Sequence, residues 1–377
     1  MSRRIIVLNE RDPLHPQAGG AEVHLREIFA RLARTDDVTL LASGFPGAPS
    51  EDYVDGIRVI RLGNRFSYYA RLPAAFAALR RAAEPDVVVE DLNKFPFFSR
   101  LWVRAPLVVI VHHLFGRTAF RQVAAPIAAA TVLAERLVPL VYRGLPVIAV
   151  SPSTQAELVA RGMRAPDVRI IPNGLDHDLY RAVPDRRADV PTVVCLGRIE
   201  PYKRTELVVD AVADLPGVQL VIAGTGTGLD GVRQRVAARG LGDRVRLLGF
   251  VDEVEKVRLL QTAHVLASAS EKEGWGLTVL EAAACGTPSV VADVPGLRDA
   301  VRDGETGLLV PSGDVQMLAA ALGRVLNDQP LRERLGASAV GWAARFDWDH
   351  VASEVSQVLD EARGMSAPLP VRHIERA

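Results

Sequence analysis

Two carboxylates stand close together in one short stretch of the chain, Glu271-Lys-Glu-Gly-Trp-Gly-Leu-Thr-Val-Leu-Glu281. Glu273 and Glu281 lie on opposite sides of a Gly-Trp-Gly turn, and the turn runs into an apolar segment that is predicted to be helical. The glycines let the backbone approach a ligand closely, and the start of the helix directs free N–H groups towards an anion. Because carboxylates accept hydrogen bonds from hydroxyl groups, the stretch predicts a site for a hydroxyl-rich ligand that carries phosphate, such as a sugar nucleotide.

A second segment that could take part in chemistry is the basic segment Leu196-Gly-Arg-Ile-Glu-Pro-Tyr-Lys-Arg204. It follows the first strand predicted in the second half. Arg198 and Lys203 are cations beside a helix N-terminus, a placement that suits a phosphate anion. Taken alone, the segment has an alternative interpretation as an exposed basic turn without a ligand.

The acidic stretch occurs in the setting Glu-Gly-aromatic-Gly-Leu-x-x-Leu-Glu-Ala-x-Ala-x-Gly-x-Pro, and the segments Asp293–Val301 and Asp303–Val310 follow it. This pattern resembles the retaining GT-B glycosyltransferases of family 4, also called glycosyl transferases group 1. The resemblance implies an α/β fold with two Rossmann-like domains that face each other across a cleft, and a C-terminal helix that crosses back to the first domain. It implies no cofactor, since the nucleoside-diphosphate sugar is the donor substrate.

At the matching positions, the resemblance implies a role for each residue. Arg198 and Lys203 would hold the donor diphosphate, Glu273 would hold hydroxyls of the donor sugar, and Glu281 would bind the ribose. His112, at the end of a first-half strand, would line the sugar pocket, the alternative being a histidine satisfied by the backbone. The catalytic candidates are therefore His112, Glu273, Arg198 and Lys203. The other donor-binding candidates lie in glycine-rich loops and at strand ends: Gly19, Gly20, Gly224, Val251, Gly274, Trp275, Gly276 and Leu277.

Three positions need separate comment. Arg204 stands where the family often has glycine and is a candidate third phosphate contact, and His113 replaces an acidic residue of the family at the strand end. Glu22, just after Gly19-Gly20, is predicted to be a first-turn charge that favours the helix dipole.

Neither metal nor NAD is predicted. The triplets Asp176-His-Asp178 and Asp347-Trp-Asp349 do not follow a donor-binding strand, and we interpret both as helix starts. Arg198 and Lys203 already supply the cationic role. The glycines of Gly224-Thr-Gly-Thr-Gly228 have the wrong spacing for the dinucleotide motif G-x-G-x-x-G.

Strands and helices alternate through most of the chain, which predicts two parallel sheets, each with six strands. We predict an acceptor-binding domain at residues 1–180, a donor-binding domain at 181–345, a crossover helix at 346–363 and a loose tail at 364–377. A length of 377 residues suits two domains of this class. One long helix is predicted at Ala119–Val141.

Composition restricts the partners. The net charge is zero, so nothing global indicates nucleic acid, and the two cysteines, Cys195 and Cys285, are predicted to be buried thiols of a reducing compartment. The apolar run near the N-terminus is too short for a signal peptide, which favours a cytoplasmic location.

The segment 94–143 contains seven Lys/Arg and one acidic residue, with large apolar residues between them. One interpretation is a surface that docks peripherally on the inner face of the plasma membrane. The other is a helix pair that covers the first sheet, and both stay open.

The leading hypothesis is a retaining transferase that moves a sugar from a nucleoside diphosphate to an acceptor hydroxyl, in cell-envelope glycan or glycolipid synthesis. As the resemblance implies, the leaving phosphate would take the acceptor proton on the same face. The alternatives are a nucleotide-sugar epimerase of the same fold and a non-catalytic nucleotide-sugar binder. The residues do not specify the base, the sugar or the acceptor.

Overall fold

The computed structural model describes residues 2–121, 123–184 and 186–365, apart from the side chain of Arg117. The predicted loose tail therefore lies outside the described residues from position 366 onwards. The chain divides into two compact units. Unit 1 comprises Met1–Arg117, Pro126–Gly174 and the segment that begins at Trp348, and unit 2 comprises Thr118–Ala125 and Leu175–Asp347.

Unit 1 contains a sheet of eight strands in the order β3-β4-β2-β1-β5-β6-β7-β8, parallel except for the β3–β4 pair. The strands are β1 (Arg4–Leu8), β2 (Asp37–Ser43), β3 (Glu51–Val54), β4 (Ile57–Leu62), β5 (Val87–Leu92), β6 (Leu107–Val111), β7 (Val147–Ala149) and β8 (Val168–Ile170). Its first four helices are α1 (Gly20–Leu32), α2 (Tyr68–Ala82), α3 (Ala125–Val141) and α4 (Pro152–Ala160). Strands such as Leu107-Val-Val-Ile-Val111 are continuously apolar because helices cover both faces of a parallel sheet.

Unit 2 contains a fully parallel sheet of six strands in the order β11-β10-β9-β12-β13-β14. The strands are β9 (Thr192–Leu196), β10 (Gln219–Ala223), β11 (Val245–Gly249), β12 (Val265–Ser268), β13 (Ser289–Ala292) and β14 (Gly307–Val310). The helices are α5 (Thr205–Ala213), α6 (Leu229–Ala238), α7 (Glu253–Thr262), α8 (Leu277–Ala284), α9 (Leu297–Ala300), α10 (Val315–Asn327) and α11 (Gln329–Ala343).

Both sheets reverse their strand order at one place, which is where ligands bind in doubly wound sheets. In unit 1 the reversal lies between β1 and β5, and in unit 2 it lies between β9 and β12. The loops that follow these four strands are therefore the first places to look for a site.

The last helix, α12 (Trp348–Gly364), returns to unit 1, as the predicted fold requires. Its buried face, which includes Trp348, Val351 and Val355, packs against α1. Nε of Arg31 on α1 lies 2.6 Å from Oδ1 of Asp349 and adds an ion pair to this contact.

Several local predictions were wrong. The helix predicted at Ala119–Val141 begins only at Ala125, because residues 116–121 form a 3-10 turn. Asp176 does not start a helix: its Oδ1 accepts hydrogen bonds from the N–H groups of Asp178 and Leu179 at 3.0 and 3.1 Å, which closes a turn. The sequence also failed to predict β3, β8, α4, α9 and α11.

Candidate active site

The predicted basic and acidic segments meet where the strand order of unit 2 reverses. The loop after β9 ends in a short 3-10 turn that carries Lys203, and the loop after β12 carries Glu273. Nζ of Lys203 forms an ion pair with Oε1 of Glu273. Burial opposes the charge on the lysine, but the carboxylate outweighs burial and raises the pKa of Lys203 above its ordinary value. The ammonium is therefore charged at neutral pH.

Two arginines add positive charge beside this pair. Arg198 is exposed and makes no hydrogen bond or ion pair with the described residues, yet it is close enough for its charge to oppose that on Lys203. Nε of Arg204 lies 3.4 Å from Oε1 of Glu271, and Arg121 also pairs with that carboxylate. Arg198 is thus a cation that, among the described residues, stays available for an incoming anion.

Arg204 occupies a backbone conformation that glycine prefers, with φ +50° and ψ +39°. The left-handed region costs a residue with a Cβ about 1 kcal/mol or more. This conformation gives a physical reason for the glycine that the family resemblance implies at this position. The chain keeps an arginine in a strained position next to the acidic loop.

The Glu273 loop is held by a segment that sequence reasoning did not assign to the site. The N–H of Glu273 donates to the carbonyl of Pro295 at 3.2 Å. Gly296 has φ +83°, and a Cβ there would lie 2.4 Å from the carbonyl oxygen of Glu273. Glycine is required because the two backbones touch. The sequence feature that could have indicated this segment is Val-Pro-Gly, which follows β13.

The Gly-Trp-Gly turn presents backbone and not the tryptophan ring. The side chain of Trp275 is buried, with its ring centroid 5.3 Å from that of Phe346. Gly276, with φ +88°, precedes α8, and Leu277 is the first residue of that helix. The backbone of Gly274–Gly276 and the N-terminus of α8 are therefore the parts of this turn that can contact a ligand.

Glu281 lies on α8 and is buried. Nζ of Lys256, on α7, is 2.8 Å from its Oε1, and its Oε2 has no hydrogen-bond partner among the described residues. Burial raises the pKa of Glu281 in spite of this lysine. The sequence did not predict Lys256, because the lysine comes from a separate helix and no motif links the two positions.

The glycine-rich loop after β10 packs on the loop after β9. The N–H of Ile199 donates to the carbonyl of Thr225, and that of Gly228 to the carbonyl of Ile199, both at 2.8 Å. A Cβ on Gly224, where φ is +143°, would lie 1.8 Å from the carbonyl oxygen of Gly197. Gly224 therefore positions the basic loop through backbone contact. Val251, predicted near the nucleobase, follows β11 and is half-buried at the edge of the core.

In unit 1, the predicted Gly19-Gly20 loop leads directly into α1. The N–H of Gly19 donates to Oε2 of Glu22 at 2.7 Å, and Nδ2 of Asn93 donates to Oε1 of the same carboxylate at 3.2 Å. Glu22 thus ties the loop to the segment after β5, in addition to its predicted place in the first helical turn. A Cβ on Gly20 would meet no atom within 4 Å, so the approach to this residue is open.

His112 follows β6 and is buried. Its Nε2 lies 2.7 Å from Oδ1 of Asp91, on β5, so the ring is bonded to a side chain and not to the backbone. The alternative prediction of a histidine satisfied by the backbone is therefore wrong. His113 is half-buried and packs edge-on against Phe115, with ring centroids 4.7 Å apart. The sequence did not predict Asp91.

A further charged group lies where the strand order of unit 1 reverses. Nζ of Lys94 is 3.0 Å from Oε1 of Glu10, and the hydroxyl of Tyr69 donates to Oε2 at 2.7 Å. Burial lowers the pKa of Lys94 to about 8, although Glu10 opposes the shift. We did not predict these residues from the sequence. Glu10 and Lys94 nevertheless follow β1 and β5 closely, and their positions after these strands could have indicated a site.

The aromatic part of the segment 94–143 differs from the predicted surface. Phe95, Phe97 and Phe98 are half-buried, and Leu114 is buried. The large apolar side chains that do face outward on α3 are Ile127, Leu133, Leu137 and Leu140. None of the helices described is long and apolar enough to cross a membrane.

No group of three or more His, Cys, Asp and Glu side chains within residues 2–121, 123–184 and 186–365 is arranged to hold a metal ion. The prediction of a metal-independent site stays a prediction.

Two Rossmann-like units, with a last helix that returns to unit 1, define the GT-B class. The model of the family described as Glycosyltransferase Family 4 matches residues 18–179, and that of Glycosyl transferases group 1 matches residues 176–342. The chain belongs to the family 4 glycosyltransferases of the GT-B fold. The family and the fold class predicted from the acidic stretch are confirmed.

Relatives and solved structures agree with this assignment. The D-inositol 3-phosphate glycosyltransferase of Mycolicibacterium paratuberculosis (strain ATCC BAA-968 / K-10) is 37% identical over 223 residues, which is 53% of this chain and 50% of that protein. The chain spans about half the length of the curated relatives it matches. Sucrose-phosphate synthase from Thermosynechococcus elongatus is 26% identical with a TM-score of 0.83, covering 95% of this chain and 99% of that one. Anabaena Alr3699/HepE in complex with UDP-glucose is 22% identical with a TM-score of 0.79, covering 95% and 100%.

Proposed function

We propose that this protein is a retaining glycosyltransferase that moves a sugar from a nucleoside-diphosphate sugar to an acceptor hydroxyl. One observation carries the proposal. The Lys203–Glu273 ion pair, with the available cation Arg198 beside it, lies at the strand-order reversal of unit 2. A cation for phosphate and a carboxylate for hydroxyls are thereby held together at the place where doubly wound sheets bind ligands.

The cations would act on the leaving group. When the bond between the sugar C1 and the phosphate oxygen breaks, negative charge grows on the diphosphate. Arg198 and Lys203 would stabilise this charge, and removal of one such donor typically costs 10²–10³-fold in rate. The acceptor oxygen would form its bond to C1 on the face that the phosphate leaves. The acceptor proton would pass to a phosphate oxygen, so the configuration at C1 is retained.

The carboxylates would bind hydroxyls. Glu273 forms an ion pair with Lys203. A donor sugar whose hydroxyls donate hydrogen bonds to Glu273 would therefore have its phosphate beside the same lysine. Oε2 of Glu281, which has no hydrogen-bond partner among the described residues, is an acceptor that a ribose hydroxyl would satisfy. The N-terminus of α8 would add N–H groups for the phosphate.

The substrates are proposed at class level. HepE binds UDP-glucose, as its complex shows, but at 22% identity that likeness supports only the fold. The Mycolicibacterium relative is by name a transferase for an inositol phosphate. We therefore propose a nucleoside-diphosphate sugar of unspecified base as the donor and a hydroxyl-rich molecule as the acceptor, used in cell-envelope glycan or glycolipid synthesis.

The test is thermal stabilisation by UDP, GDP, ADP and dTDP, followed by product analysis with sugars of the base that binds. A ligand that binds only the folded state raises its melting temperature. We expect a shift with one base that is lost in Arg198→Ala and kept in Arg233→Ala, which removes an exposed arginine of α6. Glycosyl transfer with retention supports the proposal. Epimerised nucleotide sugar without an acceptor would indicate the isomerase, and binding without turnover would indicate the binding protein.

We also propose that the enzyme works in the cytoplasm, peripherally on an anionic membrane, through the outer face of α3. Leu133, Leu137 and Leu140 are 61%, 42% and 72% exposed, and Arg136 and Arg143 lie beside them in the sequence and are exposed. Glu135, the one acidic residue of segment 94–143, is buried and accepts from the N–H of Gly116 at 2.9 Å. The outer face is therefore apolar and cationic, as anionic lipid requires.

Sedimentation with vesicles tests this surface. We expect binding to phosphatidylglycerol vesicles that falls with salt and is lost in Leu133→Ser/Leu137→Ser, with little binding to phosphatidylcholine vesicles. The control is Val254→Ser, which removes an exposed apolar side chain of α7. If wild type does not bind vesicles but forms a concentration-dependent dimer that the double variant cannot form, the face instead binds a second copy of the chain.

A further inference from the structure

Asp91 and His112 form a buried pair at the carboxyl ends of two neighbouring strands. Asp91 lies on β5 opposite Ile110 of β6, and His112 directly follows β6. Oδ1 of Asp91 is 2.7 Å from Nε2 of His112, and both side chains are buried. A carboxylate oxygen accepts the hydrogen bond that an Nε2–H donates, so the 2.7 Å contact favours the proton on Nε2.

The rest of His112 is held in one orientation. Its N–H donates to the carbonyl of Leu92 at 3.3 Å, and its carbonyl accepts from Oγ1 of Thr154 at 3.2 Å. The ring of His24, on α1, packs edge-on against it with centroids 4.9 Å apart. Nδ1 of His112 has no hydrogen-bond partner among the described residues.

His24 packs against the His112 ring as an uncharged side chain. It is fully buried, and neither of its nitrogens has a hydrogen-bond partner among the described residues. Burial, with a smaller contribution from His112, lowers the pKa of His24 well below its ordinary value. The ring of Trp348, on α12, covers its other side at a centroid distance of 6.0 Å. His24 therefore adds packing and no charge.

We propose that Asp91 is a positioning residue, which selects the His112 tautomer protonated at Nε2 and so leaves Nδ1 as a hydrogen-bond acceptor for a sugar hydroxyl. Of the two tautomers of a neutral imidazole, only the one protonated at Nε2 can donate to the Asp91 carboxylate, and we expect that hydrogen bond to favour this tautomer by about tenfold. The role of His112 towards a sugar rests on the proposed function, whereas the selection of its tautomer does not.

The first experiment is ¹⁵N NMR of the histidine rings in the free protein, with the His112 signals assigned from a His112→Gln spectrum. We expect wild type to show Nε2 protonated and Nδ1 unprotonated. In Asp91→Ala we expect the preference to disappear, and in Asp91→Asn the side-chain oxygen still accepts and the preference weakens. A wild-type ring protonated at Nδ1 would overturn the proposal, because Asp91 would then be the donor.

Kinetics with the identified donor form the second experiment. We expect Asp91→Ala to lower kcat about 10–100-fold, by analogy with the outer-shell partners that orient metal-bound histidines, with donor KM nearly unchanged. Asp91→Asn should recover part of the loss, and Asp91→Ala/His112→Gln should be no worse than His112→Gln. Losses that multiply in the double variant would overturn the proposal.

A matched control separates positioning from stability. The side chain of Asp36 is 4% exposed and pairs with Arg3 in unit 1 at 2.6 Å. Asp36→Ala should lower the melting temperature without changing the His112 spectrum or kcat. If no donor is turned over, the proposed function fails, and the NMR experiment still decides the tautomer. If Asp91→Ala does not fold, the spectrum of Asp91→Asn decides it.

Discussion

Lys94 is a residue whose burial predicts a pH effect on stability. Its pKa in the folded protein is about 8, below the ordinary lysine value of 10.5. Below pH 8 the ammonium is charged in both folded and unfolded chains, and its burial penalty is fully present. As pH rises from 8 towards 10.5, the folded chain releases the proton first, so the penalty is relieved.

We therefore expect the free energy of unfolding of wild type, relative to Lys94→Arg, to rise between pH 8 and 10. The arginine stays charged throughout this range and serves as the reference. Urea unfolding of both proteins at pH 7, 8, 9 and 10 checks the prediction. A difference that is constant with pH, or one that shrinks, would contradict it.

Arg204 gives a prediction in which stability and ligand binding move in opposite directions. Replacement by glycine removes a left-handed strain of about 1–3 kcal/mol but adds about 0.5–1 kcal/mol of chain entropy in the unfolded state. Its ion pair with Glu271 is half-exposed and worth little. We expect Arg204→Gly to raise the free energy of unfolding slightly and to weaken nucleotide binding several-fold.

Asp55, with φ +49°, is the matched control for Arg204. Asp55→Gly relieves the same strain far along the chain from the basic loop, so we expect it to raise stability and leave nucleotide affinity unchanged. Calorimetry with the nucleotide that binds measures both quantities. If Arg204→Gly binds nucleotide as wild type does, Arg204 is not a phosphate contact.

At the scale of elements, the sequence predicted what is encoded locally. Buried parallel strands are continuous apolar runs, so most of the central strands were found, including β9 and β10 at their observed bounds. Short edge strands such as β3 carry a mixed pattern, since only part of each face is covered. Glu273 and Glu281 could be predicted because they lie in one continuous stretch, a turn followed directly by a helix. Their lysine partners were not paired with them, because Lys203 comes from another loop and Lys256 from another helix.

The loop that follows β10 supplies a prediction about how elements position the site. A methyl group on Gly224 would overlap the carbonyl of Gly197, at the start of the basic loop. We expect Gly224→Ala to destabilise the protein by about 2 kcal/mol or more and to weaken nucleotide binding, because Arg198 and Lys203 shift with their loop.

Gly231, on α6, is the control for this substitution. A Cβ there would meet no atom within 4 Å, so Gly231→Ala should stabilise the helix by about 0.5–1 kcal/mol and leave binding unchanged. Thermal unfolding with and without nucleotide compares the two variants. Wild-type affinity in Gly224→Ala would show that the loop contact does not position the cations.

At the scale of the molecule, each unit repeats the same arrangement. Both sheets reverse their strand order once, and each reversal carries a partly buried ion pair of a lysine and a glutamate. In unit 2 this pair is Lys203–Glu273, which we propose binds the donor. In unit 1 it is Lys94–Glu10, which we propose as the corresponding place for the acceptor. The repeat follows from the fold, because the loops after the two strands at a reversal diverge and leave room for side chains between them.

The discontinuity of unit 1 gives the last prediction. Each unit has its own hydrophobic core, but that of unit 1 is covered by α12, which the chain adds only after unit 2 is complete. Val355 lies fully buried on α12, and a carboxylate there would cost on the order of 4 kcal/mol or more, comparable with the whole stability of a domain. We expect Val355→Asp to unfold unit 1 near ambient temperature, while unit 2 still melts at a higher temperature, which added nucleotide raises further.

Ser353→Asp, at an exposed position of the same helix, should leave both transitions in place. Loss of the nucleotide-dependent transition in Val355→Asp would mean that unit 2 cannot hold its fold without unit 1, and that the two cores unfold as one.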